Sequence, residues 1–342
     1  MSNPIENSVS LAILHIAKHS PKLKDSTKST YARLLRKFYK VLLDETDDLR
    51  LVEDIPKPLY EPKKIILMLE DSDWGKALKD RSRKNYLSLI LTLFRPLKET
   101  QQPIYDEYRK AFDILKGDLD AKQIQQEPTE NEQHLKDITM LDLRHSLNHH
   151  FNKIRGAHSK DIKSAMLNML GHLHLDEVLR NEASDMVMTN DYLPVEIAPK
   201  LNFIWLKGRN VKLMVIRNNK VRNPDRGDEP KEVYIKGKLN TAINKYTQIL
   251  TNNGYAIDNY APLVYSKSWG DNVCISSSHY SQVFKEIWAH RDLELTTTMV
   301  RKIYAMDIRN TYKGNLVKEI EACKKLDHSQ ETHNKHYILN FD

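Results

Sequence analysis

A histidine at position 328 and a tyrosine at position 337 stand nine residues apart, downstream of Val300-Arg301-Lys302. A phenol with an ordinary pKa of about 10 is a poor nucleophile at neutral pH. It attacks a phosphodiester only where fixed cations neutralise the phosphate, favour phenolate and stabilise the pentacoordinate transition state, and where a neighbouring group manages protons. Arginine suits this task because its planar guanidinium grips two phosphate oxygens at once. Arg301 is one candidate. Arg180, in Leu179-Arg180-Asn181-Glu182, is another, placed between an apolar helical segment and a strand region, with Glu182 and Asp185 close enough in sequence to orient it.

The elements that must hold these residues are readable from hydrophobic spacing. Tyr31, Leu34, Leu35, Phe38 and Leu42 recur at the three-and-four interval of one helix face, with Ser26 as a cap. Ile65 to Leu69 follow Pro62 as a short helix, Tyr86, Leu89, Ile90, Leu93 and Phe94 make a third, and Ile104, Tyr108, Phe112 and Leu115 a fourth. Basic residues gather near the starts of the first and third of these helices: Lys22, Lys24, Lys28, Arg33, Arg36 and Lys37, then Lys79, Arg81, Arg83 and Lys84. Such residues ordinarily keep a helix face solvated, but two clusters at equivalent helix starts suit phosphate contacts.

Gly117 to Asp137 is polar with little apolar periodicity, the composition of a linker. The reading is therefore a helical domain over 1–120, a linker over 121–137 and a second domain over 138–342. The second domain has helical patterns at about Met140 to Ile154 and Ser159 to Leu175, then strand candidates at Leu201 to Leu206, Val211 to Arg217 and Glu232 to Lys236. Helices resume at about Leu239 to Leu250 and Ser278 to His290. This is an α+β plan, mostly α, with a small three-stranded antiparallel sheet. Neither a GxGxxG nor a GxxxxGK[ST] pattern occurs.

Lys and Arg number 53 against 46 Asp and Glu, with a net charge of +7, which favours a polyanionic partner. Two cysteines, Cys274 and Cys323, exclude a disulfide scaffold, fit a reducing compartment and are read as small core residues without a chemical role. No signal peptide or membrane span is visible, so the expectation is an intracellular, DNA-associated protein in cytoplasm, nucleoid or host nucleus.

The carboxyl-terminal stretch Leu326-Asp327-His328-Ser329 followed by Tyr337 resembles the active-site tail of tyrosine recombinases, the phage-type integrases, and is closest in flavour to integrases of viruses and mobile elements. Thr298-Met299-Val300-Arg301 resembles their H-x-x-R box, with Thr298 in the histidine position, and Asp327 replaces the glycine of L-G-H-S. The resemblance covers the whole chain in order. It implies a core-binding domain followed by a catalytic domain, forming a C-shaped clamp around duplex DNA, with homo-tetramers on paired sites. Implied catalytic residues are Arg180, a hairpin lysine, Thr298, Arg301, His328 and the nucleophile Tyr337. Lys220 is chosen as the lysine that protonates the departing 5′ oxygen, with Lys212 or Arg222 taking that place in another register. Lys24, Lys28, Arg33, Lys37, Arg81, Arg83, Lys84 and Arg222 are the implied DNA contacts, and neither a metal nor a small-molecule cofactor is required.

Two other functions compete: a catalytically impaired recombinase-like DNA-binding protein, motivated by Thr298 and the displaced Glu182, and DNA relaxation of the type IB topoisomerase kind. His328, His333 and His336, or His145 with His149, are alternative metal ligands, but neither set comes with a convincing cysteine or carboxylate partner. Ser8 to Lys18 is expected to supply a subunit contact in place of a long carboxyl-terminal helix.

Overall fold

The computed structural model describes residues 4–21, 23, 25–156, 158, 160–207, 211–219, 228–257, 260–265, 274–312 and 315–339. The chain divides into two compact units, Met1–Gln125 and Gln126–Asp342.

The first unit is built from helices α1 (Pro4–His19), α2 (Asp25–Thr46), α3 (Pro62–Asp71), the short α4 (Asp73–Lys76), α5 (Asp80–Phe94) and α6 (Gln102–Ile124). A minimal antiparallel hairpin, β1 (Leu51–Val52) and β2 (Ile55–Pro56), joins α2 to α3. The spacing seen in the sequence turns Leu35, Phe38 and Leu42 of α2 and Leu89, Ile90 and Phe94 of α5 into one core. Ser26 lies inside α2, whose first residue is Asp25, so the helix starts one residue before the expected cap. Helix α1 buries Val9, Ala12 and Ile16 in this same core and leaves Leu14 exposed.

Polar composition misleads over 121–137. Helix α6 runs through Gly117 to Ile124, and a 3-10 turn covers Glu130–Leu135. Thr129 and Glu132 cap that turn reciprocally, Leu135 enters the core of the second unit, and the Glu132 carboxylate pairs with Lys302 at 2.6 Å in a largely buried contact. The residues that look like a tether are thus anchored to the second unit.

In the second unit α7 (Met140–Ser146) and α8 (Asn148–Lys153) replace the single helix expected over 140–154. Helix α9 (Asp161–Glu177) forms where the spacing of Ile162, Met166, Met169, Leu170 and Leu173 places a helix, and it is buried on almost every side. Gly171 sits where a Cβ would strike the Leu147 side chain, so glycine here lets α9 be approached closely.

Strands β3 (Val187–Thr189), β4 (Phe203–Lys207), β5 (Val211–Ile216), β6 (Lys231–Ile235) and, after α10 (Gly237–Asn252), β7 (Ala261–Pro262) follow. The sheet is five-stranded among the described residues, in the order β6-β5-β4-β3-β7. The three strands anticipated from the sequence are its antiparallel half, with Phe203 opposite Val215 and Lys212 opposite Ile235. The correction is at the other edge, where β3 pairs parallel to β4 and antiparallel to β7. Those two strands are three and two residues long, too short to show alternation.

Helices α11 (Ser277–Lys285), α12 (Thr297–Tyr312), α13 (Leu316–Lys325) and α14 (Gln330–His336) complete the unit. No helix among the described residues is long and apolar enough to cross a membrane.

Candidate active site

Tyr337 caps the carboxyl end of α14, a helix started by Ser329, whose hydroxyl accepts from the Thr332 amide at 3.2 Å. The turn feeding this helix requires Asp327 at φ 51°, the left-handed region that favours glycine, and asparagine and aspartate tolerate it best among the others. The reversal is closed by the His328 amide donating to the Cys323 carbonyl at 3.1 Å. Tyr337 is 8 % exposed and packs with Val178, Ala305, Leu326 and Ile338.

Arg301 lies one turn into α12 and is buried. Its Nε donates to the Tyr337 hydroxyl at 3.2 Å, Nη1 to the Val178 carbonyl at 2.7 Å and Nη2 to the Leu326 carbonyl at 2.5 Å. These contacts fix the guanidinium against the phenol and leave two of its five N–H donors for another acceptor. Val178, the αL cap of α9 at φ 51°, is a β-branched residue in a conformation it rarely adopts. Its carbonyl is held by Arg301, its side chain is fully buried, and His174 bonds the next carbonyl, Leu179, at 3.2 Å, so the neighbourhood over-determines the strained turn.

That turn presents Arg180, which is half-buried and adds positive potential to the same hydroxyl. Burial opposes ionisation of Tyr337, but Arg301 and then Arg180 outweigh it, and the phenol's pKa lies below the ordinary value. The acids expected to orient Arg180 do otherwise. Asp185 accepts from Asn202 at 3.4 Å, while Glu182 acts electrostatically on Arg301 and keeps Oε2 buried without a hydrogen-bond partner. Among the described residues Arg180 forms no ion pair with either.

The neighbouring residue missed by sequence reasoning is Asn181. Its Oδ1 accepts from the Thr297 hydroxyl at 3.0 Å and its Nδ2 donates to Ser277 at 2.9 Å, tying the Arg180 turn to the start of α12 and to α11. Buried Thr297 thus makes the structural contact, whereas Thr298, in the histidine position of the box, is exposed in the first turn of α12.

His328 lies with its ring centroid 4.5 Å from that of Tyr337. Burial, then the charges of Arg301, His333 and Arg180, pull its pKa down to about 3, so the imidazole is neutral at physiological pH and serves as a hydrogen-bonding group rather than a cation. Its Nε2 meets His333 Nδ1 at 3.1 Å.

The remaining sequence candidates are not drawn together in this way. Lys220 and Arg222 lie outside the described residues, as does Lys24. Lys212 is buried on β5 with its ammonium at 2.7 Å from both Asn240 and Asn244 of α10, which commits it to that polar cap. In the first unit Arg33, Lys37 and Arg81 are exposed, Lys28 and Lys84 half-buried. Arg83 is spent locally, bonded to the Gly75 carbonyl at 3.3 Å and 3.6 Å from Asp80. Arg33 of α2 acts electrostatically on Tyr86 of α5.

Comparison with protein-family models, with curated proteins and with solved structures returns no match for this chain.

Proposed function

We propose that the chain is a tyrosine-type DNA strand transferase, a site-specific recombinase or integrase that cleaves and rejoins DNA through a 3′-phosphotyrosyl intermediate. The observation that carries this reading is the hydroxyl of Tyr337 bonded by Arg301 and polarised by Arg180, two residues 121 positions apart in the sequence. A phosphodiester entering the site would meet the free guanidinium N–H groups, which hold its non-bridging oxygens and favour phenolate. As the phenol releases its proton to water, attack by the Tyr337 oxygen on phosphorus forms the phosphotyrosyl bond and expels the 5′ oxygen, which takes a proton from a general acid, the role assigned to Lys220. The ester keeps the bond energy, so a second 5′ hydroxyl reverses the step without a nucleotide cofactor. Neutral His328 would hydrogen-bond the phosphate or hold the phenol in line. Duplex DNA is the partner, bound through the exposed bases of α2 and α5, and assembly as tetramers on paired sites follows from the same reading.

A second reading, a DNA-binding protein without chemistry, is favoured by two observations: exposed Thr298 carries no imidazole, and the nucleophile is buried. Nicked duplexes separate the two. The proposal expects a DNA adduct that survives denaturation and is absent in Tyr337→Phe; DNA binding without any adduct supports the second reading. Relaxation of supercoiled plasmid lacking a recombination site would place the chemistry with type IB topoisomerases instead.

A further inference from the structure

Cys323, His328 and His333 are spaced Cys-x4-His-x4-His, and the turn between α13 and α14 folds that spacing onto one point. The left-handed Asp327 reverses the chain so that the His328 amide bonds the Cys323 carbonyl, and His333 comes back from the middle of α14. One ligand atom from each residue lies within 4.8 Å of the other two. The sequence pairs His328 and His333 with His336; the fold replaces His336 with the cysteine that the histidines lacked.

A second observation points to a ligand. The two imidazoles share a 3.1 Å contact between His328 Nε2 and His333 Nδ1, while His328 Nδ1 and His333 Nε2 are buried with no hydrogen-bond partner among the described residues. His333 is 1 % exposed and Cys323 5 %. Buried polar atoms nearly always have partners, and exceptions call for a water or an ion. In a tetrahedral zinc site, bond lengths of about 2.3 Å to sulfur and 2.0–2.1 Å to nitrogen put ligand atoms roughly 3.3–3.6 Å apart. The 4.8 Å limit on the three ligand atoms is looser than that spacing, so metal binding would draw the three side chains together.

We propose that Cys323, His328 and His333 form a binding site for a soft divalent transition-metal ion, Zn²⁺ being the ordinary occupant, and that metal bound there withdraws His328 from Tyr337. A thiolate with two neutral imidazoles selects such an ion over Mg²⁺ or Ca²⁺. On binding, the thiol releases its proton to solvent, each imidazole gives one nitrogen lone pair, and water completes the fourth position. Binding itself is independent of the recombinase reading; its inhibitory consequence rests on that reading.

The test is titration of the reduced, metal-free full chain with Co²⁺. The expected result is one equivalent bound, with a thiolate-to-cobalt absorption band and tetrahedral visible bands, both lost in Cys323→Ala and in His333→Gln while circular dichroism is unchanged. No band in the parent, or an equal band in Cys323→Ala, overturns the site. With nicked DNA, Zn²⁺ is expected to cut adduct formation at least tenfold in the parent, reversibly with a chelator, and to leave Cys323→Ala unaffected. Equal zinc sensitivity of both, or insensitivity of the parent while the cobalt band is present, overturns the coupling. A parent that forms no adduct even without metal refutes the strand-transferase reading, and the cobalt band still decides the site.

Discussion

Replacing Arg301 by lysine keeps the charge and destroys the geometry. The guanidinium spans three acceptors, the Val178 and Leu326 carbonyls and the Tyr337 hydroxyl. A single ammonium on a shorter fork reaches at most one of them well. Hydrogen bonds to charged groups contribute about 1.5–3 kcal/mol each, and a buried carbonyl left without a partner costs about 1–3 kcal/mol. Losing two such bonds, with water entering to repair part of the damage, puts the penalty at about 3 kcal/mol, or roughly a hundredfold in an opening equilibrium. Native-state hydrogen exchange on peptides from α12 and α14 reads the local change directly. Exchange about a hundred times faster there, with the first unit unaffected, is the expected result. Rates within threefold of the parent would refute the claim that Arg301 clamps the α9 turn and the α13–α14 turn onto Tyr337.

Three further perturbations follow. Glu132→Ala leaves Lys302 largely buried without its 2.6 Å partner, and thermal or urea unfolding of the second unit should register a loss of about 2 kcal/mol; no change would return residues 129–135 to the status of a tether. Burial holds the His174 pKa at about 3, against about 6.5 unfolded, so its effect is nil above pH 6.5; below it the unfolded state takes a proton that the folded state refuses. Stability therefore falls with decreasing pH between about 6.5 and 3, by about 1.4 kcal/mol per pH unit from this group alone. His174→Gln should reduce the loss between pH 7 and 4.5 by about 2 kcal/mol in paired denaturation curves, and parallel curves would refute the assignment. Asp327→Val, placed at φ 51°, should cost about 1–2 kcal/mol while Asp327→Gly stays near the parent, as melting curves would show; equal effects would argue against a left-handed turn there.

The amphipathic helices of the first unit were readable because each buries one stripe whose period is local, as Leu35, Phe38 and Leu42 illustrate. The antiparallel strands β4, β5 and β6 were readable for the same reason. Strands β3 and β7 owe their existence to non-local pairing, and nothing in Val187–Thr189 or Ala261–Pro262 announces it. Helix α9 was readable from the spacing of Ile162, Met166, Met169, Leu170 and Leu173, although its burial extends to almost every side. In the site, the His328 to Tyr337 interval was visible because one turn and one helix fix it. The approach of Arg180 and Arg301 to one hydroxyl depends on the Val178 turn, an αL cap that a valine does not advertise. Asn181 and Thr297 act through contacts 116 residues apart, and composition concealed the anchoring of Glu132. Cys323 is the buried core residue its type suggests, and its nearness to the histidines depends on the left-handed Asp327, which composition does not announce.

The most direct test of the central claim is to mix the full chain with a pool of nicked duplexes of randomised sequence, denature, digest, and locate any nucleotide-modified peptide by mass spectrometry. The account predicts a 3′-phosphonucleotide on Tyr337 and none in Tyr337→Phe. Tight DNA binding with no modified peptide, or modification at another residue that persists in Tyr337→Phe, would contradict it.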